Sequence, residues 1–286
     1  MSAESDRPMH HDEEQRRQWD AVAAGWRKWW PTIEGGAQRV SLRMLELAQV
    51  RPGQRVLDLG TGIGEPALSA ARCVGPSGRV VATDFSPRML DIAQERAAAQ
   101  GLANVEFIQA DAATLDVAGA RFDAILCRWG VTSLPDPPGA LAAIRRLLVS
   151  DGWFVTAVWP SGAQGRPMAS LAAAVAQEMF GLPPSASDAS PACSPARVAV
   201  QETMRRAGFR DVHSEEMTMP LEFSSAADCG RYLMDVSPEF SALLGDRPLA
   251  QRAEFGRRLS ERLQPYATVG GAVRIPNLTI CAAGRR

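Results

Sequence analysis

Three glycines within five residues, Gly60, Gly62 and Gly64, sit between an apolar strand and a small-residue helix. This junction constrains the fold of the chain more than any other feature. Arg55-Val56-Leu57-Asp58-Leu59 leads into it and residues 65–73 lead out. Glycine lets the backbone turn tightly and lets a ligand approach with no Cβ in the way. The helix beyond the turn offers free N–H groups at its start. The same rhythm continues downstream, with strands expected at Gly78–Thr83, Val105–Ile108, Phe122–Cys127 and Trp153–Trp159. A helix from Pro87 to about Gln100, with Ser86 as its N-cap, and another over Pro138–Val149 fall between them. Strands alternating with helices predict an α/β fold with a mostly parallel sheet.

The flanks depart from this rhythm. Residues 1–12 read as a disordered tail, and a helix over Glu13–Trp30 places Trp19, Ala23, Trp26 and Trp30 on one face. Pro31 is expected to end that helix, and a second follows over Ala37–Ala48 with Val40, Met44 and Leu47 inward. Beyond Trp159 come a loop, an apolar helix over Met168–Phe180 and a Pro/Ser/Ala-rich stretch at 181–197. A helix over Ala199–Ala207, a strand over Phe209–Met219, helical residues 225–264 broken at Pro238 and Pro248, and a strand over Arg274–Ala282 complete the chain. The expected organisation is a tail (1–12), an N-terminal helical cap (13–50), a core (51–159) and a helical or loop insertion over the active site (160–197). A core continuation (198–221), a second helical insertion (222–270) and the last strand with its tail (271–286) follow.

Acidic residues stand where such a sheet binds ligands, beyond the carboxyl ends of its strands. Asp84 ends the second strand, 24 residues after Gly60, where a carboxylate accepts hydrogen bonds from ribose hydroxyls. Asp111 follows the third strand, where it could meet an adenine amino group or merely cap a loop. A nicotinamide dinucleotide is a competing ligand on sheet logic alone. Its usual spacing is GxGxxG, however, and here Glu65 takes the last position while Gly64 comes one residue early.

Taken together, Val56 to Glu65, Ala82 to Leu90, Ala110-Asp111-Ala112, Phe122-Asp123-Ala124 and Leu134-Pro135-Asp136-Pro137 resemble the class I S-adenosylmethionine-dependent methyltransferases. The likeness is greatest to the small-molecule branch. That branch includes the ubiquinone/menaquinone C-methyltransferases and methyltransferases of bacterial natural-product and antibiotic biosynthesis. Leu147 to Phe154 matches the turn before the fifth strand, with Ser150-Asp151-Gly152 in place of the usual Pro-Gly-Gly. The resemblance implies a Rossmann-like, seven-stranded, mostly parallel sheet with helical lid additions. It also implies S-adenosyl-L-methionine as cofactor, S-adenosyl-L-homocysteine as product, and no metal. Gly60 and Gly62 would run past the methionine moiety, Thr61 and Gly64 would belong to the same cofactor-binding turn, and Asp58 would orient that loop. Asp84 would hold the ribose, Phe85 and Met89 would pack near the adenine, and Asp111 with Ala112 would meet its amino group. Arg128 would orient a cofactor or substrate group at the end of the fourth strand.

Methyl transfer from a sulfonium is a direct displacement that depends on alignment. A general base is needed only if the acceptor must lose a proton. His10 and His11 lie in the tail, and His213 reads as structural, so carbon is slightly favoured over oxygen as acceptor. Arg128, Trp129 and Glu34 are the catalytic candidates. Trp26, Trp29, Trp30, Met168 and Tyr232 are the candidates for an apolar wall suited to an aromatic, polycyclic or quinone-like molecule. Lys and Arg number 31 against 32 Asp and Glu, so no global basic field favours a nucleic acid partner. Five widely spaced cysteines with no CxxC pair argue against a disulfide framework or structural zinc. No apolar run approaches the ~18 residues of a membrane span, and the polar start has no signal-peptide character. A cytoplasmic enzyme for a hydrophobic small molecule, with homo-oligomerisation open, is the expectation. An RNA or protein methyltransferase and a non-methylating cofactor-binding module stay as alternatives.

Overall fold

The computed structural model describes residues 7–110, 121–130, 137–160, 165–182 and 196–286. Seven strands form one sheet: β1 (Arg55–Leu59), β2 (Arg79–Asp84), β3 (Val105–Gln109), β4 (Phe122–Arg128), β5 (Leu148–Val158), β6 (Arg210–Phe223) and β7 (Val273–Arg285). Their order is β3-β2-β1-β4-β5-β7-β6. β1 to β5 pair in parallel, whereas β7 runs antiparallel to both β5 and β6. The strand order turns back between β1 and β4, which opens a crevice beyond their carboxyl ends.

The strand residues divide by alternation. Val56, Val80, Ala82, Leu126 and Val155 belong to the core on one face, and Leu57, Leu59, Val81, Ile125 and Phe154 to the core on the other. Burial on both sides explains why these strands read as nearly continuous apolar runs. The helices are α1 (Arg7–Leu47), α2 (Ala67–Val74), α3 (Pro87–Ala99), α4 (Pro137–Leu147), α5 (Pro167–Phe180), α6 (Ala196–Arg206), α7 (Ala226–Val236), α8 (Pro238–Gly245) and α9 (Leu249–Arg262). Ser86, Ser225 and Ser237 cap α3, α7 and α8 by accepting from the N–H three residues on.

The largest departure from the sequence reading is α1. Residues 7–47 form one helix, in place of a tail to residue 12 and two helices split at Pro31. A proline inside a helix forfeits one backbone hydrogen bond and costs about 3 kcal/mol. Tertiary contacts on both sides of Pro31 offset this. Ile33, Ala37, Val40 and Met44 are buried in the core, and the Trp26 indole N–H donates to the Val236 carbonyl at 3.0 Å. Gly25 and Gly36 allow the close approach: a Cβ on Gly25 would lie 1.8 Å from the Asp235 carbonyl oxygen, and one on Gly36 would lie 2.0 Å from that of Pro220. β6 also runs past Met219, through Pro220 to Phe223. It is the terminal strand of the sheet, where a missing N–H is tolerated.

Candidate functional site

The glycine turn is held by backbone and carboxylate hydrogen bonds. Gly60, Gly62 and Gly64 have φ of +68°, +55° and +109°, a region that side chains disfavour. Thr61 N–H donates to the Thr83 carbonyl at 2.8 Å, and Gly64 N–H to the Thr61 carbonyl at 2.9 Å. The Asp58 carboxylate accepts from Ala67 N–H at 3.1 Å, joining the end of β1 to the start of α2. Asp84 accepts from Gly62 N–H at 2.8 Å and from Ser86 N–H at 2.9 Å, joining the turn to α3.

Both carboxyls are buried, and burial is the main influence on each. Asp58 is pushed up to about 7 against the opposing pull of Thr61, Arg128 and the Ala67 N–H. Asp84 is pushed up to about 6 against the N–H groups of Ser86, Gly62 and Phe85.

A cavity of about 460 Å³ opens over this turn, within the range of small-molecule sites. Phe85, Met89, Gln109 and Ala110 line its β2–β3 end, and Arg128, Trp129 and Gly130 line its β4 end. Trp19 and Trp26 of α1 and Glu65 at the start of α2 border it as well. A Cβ on Gly62 would meet no protein atom within 4 Å, and one on Gly60 only Gly130 Cα at 4.0 Å. Side chains at these positions would therefore occupy the cavity itself.

This arrangement fits S-adenosylmethionine. The bare turn leaves room for the ligand. Asp84 uses two of about four acceptor positions on backbone N–H groups, which leaves capacity for ribose hydroxyls. No cluster of three or more potential metal ligands occurs among the described residues.

Arg128 and Glu34 meet in a buried ion pair that joins α1 to the end of β4, with side chains 5% and 7% exposed. Arg128 donates to Glu34 Oε1 at 2.7 Å and Oε2 at 3.1 Å, and to Ser41 Oγ at 2.8 Å. Burial is the largest influence and opposes the guanidinium charge, but Glu34, together with the Glu65 and Asp58 carboxylates, holds Arg128 above its ordinary pKa. Trp129 has φ of +67° and donates its indole N–H to Thr279 Oγ1 at 2.9 Å. Its ring stacks on Trp159 at 4.5 Å and carries the Arg128 guanidinium 4.8 Å from its centroid. The protein itself thus engages much of that ring.

The remaining candidates separate. Trp26 borders the cavity, whereas Trp29, Trp30, Met168 and Tyr232 are not among its described lining residues. Trp29 donates to Asp235 at 2.7 Å and packs edge-on against Phe223 and Tyr232. Burial raises the Tyr232 hydroxyl well above its ordinary pKa. Met168 lies in the main core, and Trp30 is 40% exposed beneath the Arg96 guanidinium. A helical stripe of tryptophans is divided here among several partners, because the neighbours that meet each ring come from α3, β6 and α7.

Asp111, Ala112 and Leu134-Pro135-Asp136 lie outside the described residues. Trp19, which the sequence places in the same tryptophan cluster, borders the cavity, whereas sequence reasoning left Glu65, Gln109 and Ile144 out of the site. Glu65 could have been added from its place in the glycine motif. Ile144, within an ordinary apolar helix, carries no such signal.

A family model described as a methyltransferase domain matches residues 56–152. The chain is 36% identical over 122 residues to the ubiquinone/menaquinone biosynthesis C-methyltransferase UbiE of Pseudomonas putida, which covers 42% of this chain and 48% of that protein. Against the UbiE of Ectopseudomonas oleovorans the identity is again 36% over 122 residues, covering 42% of this chain and 72% of the relative. The chain spans about half the length of most of the curated relatives it matches. Among solved structures, a Haemonchus contortus phosphoethanolamine N-methyltransferase 2 in complex with S-adenosyl-L-methionine superposes with a TM-score of 0.53 at 19% identity. That match covers 88% of this chain and 56% of the other and speaks to the fold alone.

Proposed function

This chain belongs to the class I S-adenosylmethionine-dependent methyltransferases, and from that premise we propose that it methylates a hydrophobic small molecule. The acceptor class is an aromatic, polycyclic or quinone-like compound, with carbon favoured over oxygen as the methylated atom. The observation that carries this reading is the makeup of the cavity, where Trp19, Trp26, Ile63, Trp129 and Ile144 supply apolar surface close to the glycine turn. Likeness to the UbiE proteins supports a small-molecule carbon acceptor.

The cofactor supplies an electrophilic methyl group on a sulfonium. What the chain contributes is placement and exclusion of water. Asp84, Gly60 and Gly62 hold the cofactor end, and Trp19 and Trp26 bring α1 over the same cavity. Keeping water out strengthens the fixed charges that act on the displacement. Glu34 and Arg128 act by position, since both Glu34 oxygens already accept from Arg128.

Label transfer from methyl-labelled S-adenosylmethionine tests the reading. The purified protein is incubated separately with a small-molecule extract, total RNA and total protein. Label in an organic-soluble product is expected, and mass spectrometry then locates the methylated atom. Label confined to RNA or protein would overturn the acceptor class.

A further inference from the structure

Four carboxylates are buried among the described residues, Glu34, Asp58, Glu65 and Asp84, against one buried guanidinium, Arg128. Glu34 is neutralised by Arg128. Asp58 and Asp84 accept backbone N–H bonds, and burial favours their protonated forms. Asp58 Oδ1 is itself left without a partner among the described residues, but of these four carboxylates only Asp84 and Glu65 border the cavity. The Glu65 side chain is 3% exposed, yet its contacts are long: Ser69 N–H at 3.3 Å and Arg72 Nη2 at 3.4 Å. Charge-assisted hydrogen bonds ordinarily close to about 2.7–2.9 Å. Arg72 is half exposed and spends a shorter bond, 2.8 Å, on Ser69 Oγ, with another on Gln100. The Thr61 hydroxyl is buried and borders the same cavity; it favours the Asp58 carboxylate charge without closing a hydrogen bond of good geometry to it. Buried polar groups left in this state are costly unless a ligand completes them.

We infer that Glu65 is the counter-charge for the α-ammonium of the bound cofactor's amino-acid end, with the Thr61 hydroxyl as a second polar contact to that end. The inference rests on the cofactor reading and deepens it. Strand order supports the direction: from β3 and β2, where Gln109 and Asp84 border the cavity, one crosses to the turn after β1 that ends in Glu65. A cofactor whose ribose sits at Asp84 therefore extends its amino-acid end toward Glu65. Arg128 borders that side too, but Glu34 already occupies it. An ammonium offers three N–H donors to a carboxylate, whereas a sulfonium offers none.

The test is calorimetric binding to the full chain of two ligands. One is S-adenosylhomocysteine, which has no sulfonium. The other is its des-amino analogue, in which hydrogen replaces the α-ammonium. The wild-type protein is expected to bind the first at least about ten-fold more tightly. Glu65→Gln should remove about that factor for S-adenosylhomocysteine while changing the affinity of the des-amino analogue less than about three-fold. Equal weakening for both ligands, or no change for the first, would overturn the assignment. Circular dichroism checks the fold of the variant. Should Glu65→Gln not fold, Glu65→Asp carries the same comparison, because its shortened carboxylate should also weaken only the ammonium-bearing ligand. Failure of the wild type to bind either ligand would overturn the cofactor reading itself, a result distinct from loss of the Glu65 contact.

Discussion

Replacing Glu34 with alanine should destabilise the protein by about 3–5 kcal/mol, because it leaves the Arg128 charge buried without its counter-ion. The structure accounts for the size of this effect. Both side chains are almost fully buried, the pair is bidentate at 2.7 and 3.1 Å, and Ser41 is the further hydrogen-bond acceptor that Arg128 meets among the described residues. Neither water nor salt can stand in for the lost carboxylate at this depth. A loss of that size is a large part of the ~5–15 kcal/mol by which folded domains are ordinarily stable. The assay is urea unfolding at pH 7 followed by far-ultraviolet circular dichroism, with the midpoint expected to fall and the slope to stay unchanged. The double variant Glu34→Leu/Arg128→Met removes both charges at similar volume and should recover most of the loss. A single variant within about 1 kcal/mol of the wild type would refute the reasoning, because it would mean that Arg128 finds equal solvation without Glu34.

Three further outcomes follow from the same geometry. Asp84→Ala should weaken S-adenosylhomocysteine binding by about 1–3 kcal/mol in a calorimetric titration, and unchanged affinity would remove Asp84 from the ribose site. Asp58 and Asp84, held at about 7 and about 6 against an ordinary 3.8, bind more protons in the folded than in the unfolded chain. Their stabilising contribution is therefore fully present below about pH 4 and is lost as pH rises through 6 and 7. Wild-type stability should accordingly fall relative to Asp58→Asn between pH 5 and pH 8, and parallel urea midpoints would contradict the burial argument. Gly25→Ala should destabilise the protein by more than about 2 kcal/mol, despite alanine's better helix propensity, since its Cβ would meet a carbonyl oxygen of α7. An unchanged thermal midpoint would show that α1 can shift at no cost.

What could be read from the chain alone was what local chemistry dictates. The alternation of apolar strands and helices, the glycine turn after β1 and the acid ending β2 each depend on residues a few positions apart. Their periods and turn preferences do not wait on distant contacts. Ser86 and Pro87 likewise mark the start of α3 by themselves. The interior of α1 is the counter-example: Pro31 argued locally for a break, and packing against β6 and α7 overrode it. The tryptophans show the same limit, since helical spacing placed them on one face without revealing which ring borders the cavity and which meets Asp235 or Arg96. Glu34 and Arg128 stand 94 residues apart, and nothing local to either one names the other. Their pairing exists because α1 is laid across the end of β4, which excludes water and leaves each charge the other as its nearest answer. The sequence by itself thus determined the sheet and the mouth of the site, while only the tertiary structure decided which charges and rings would furnish it.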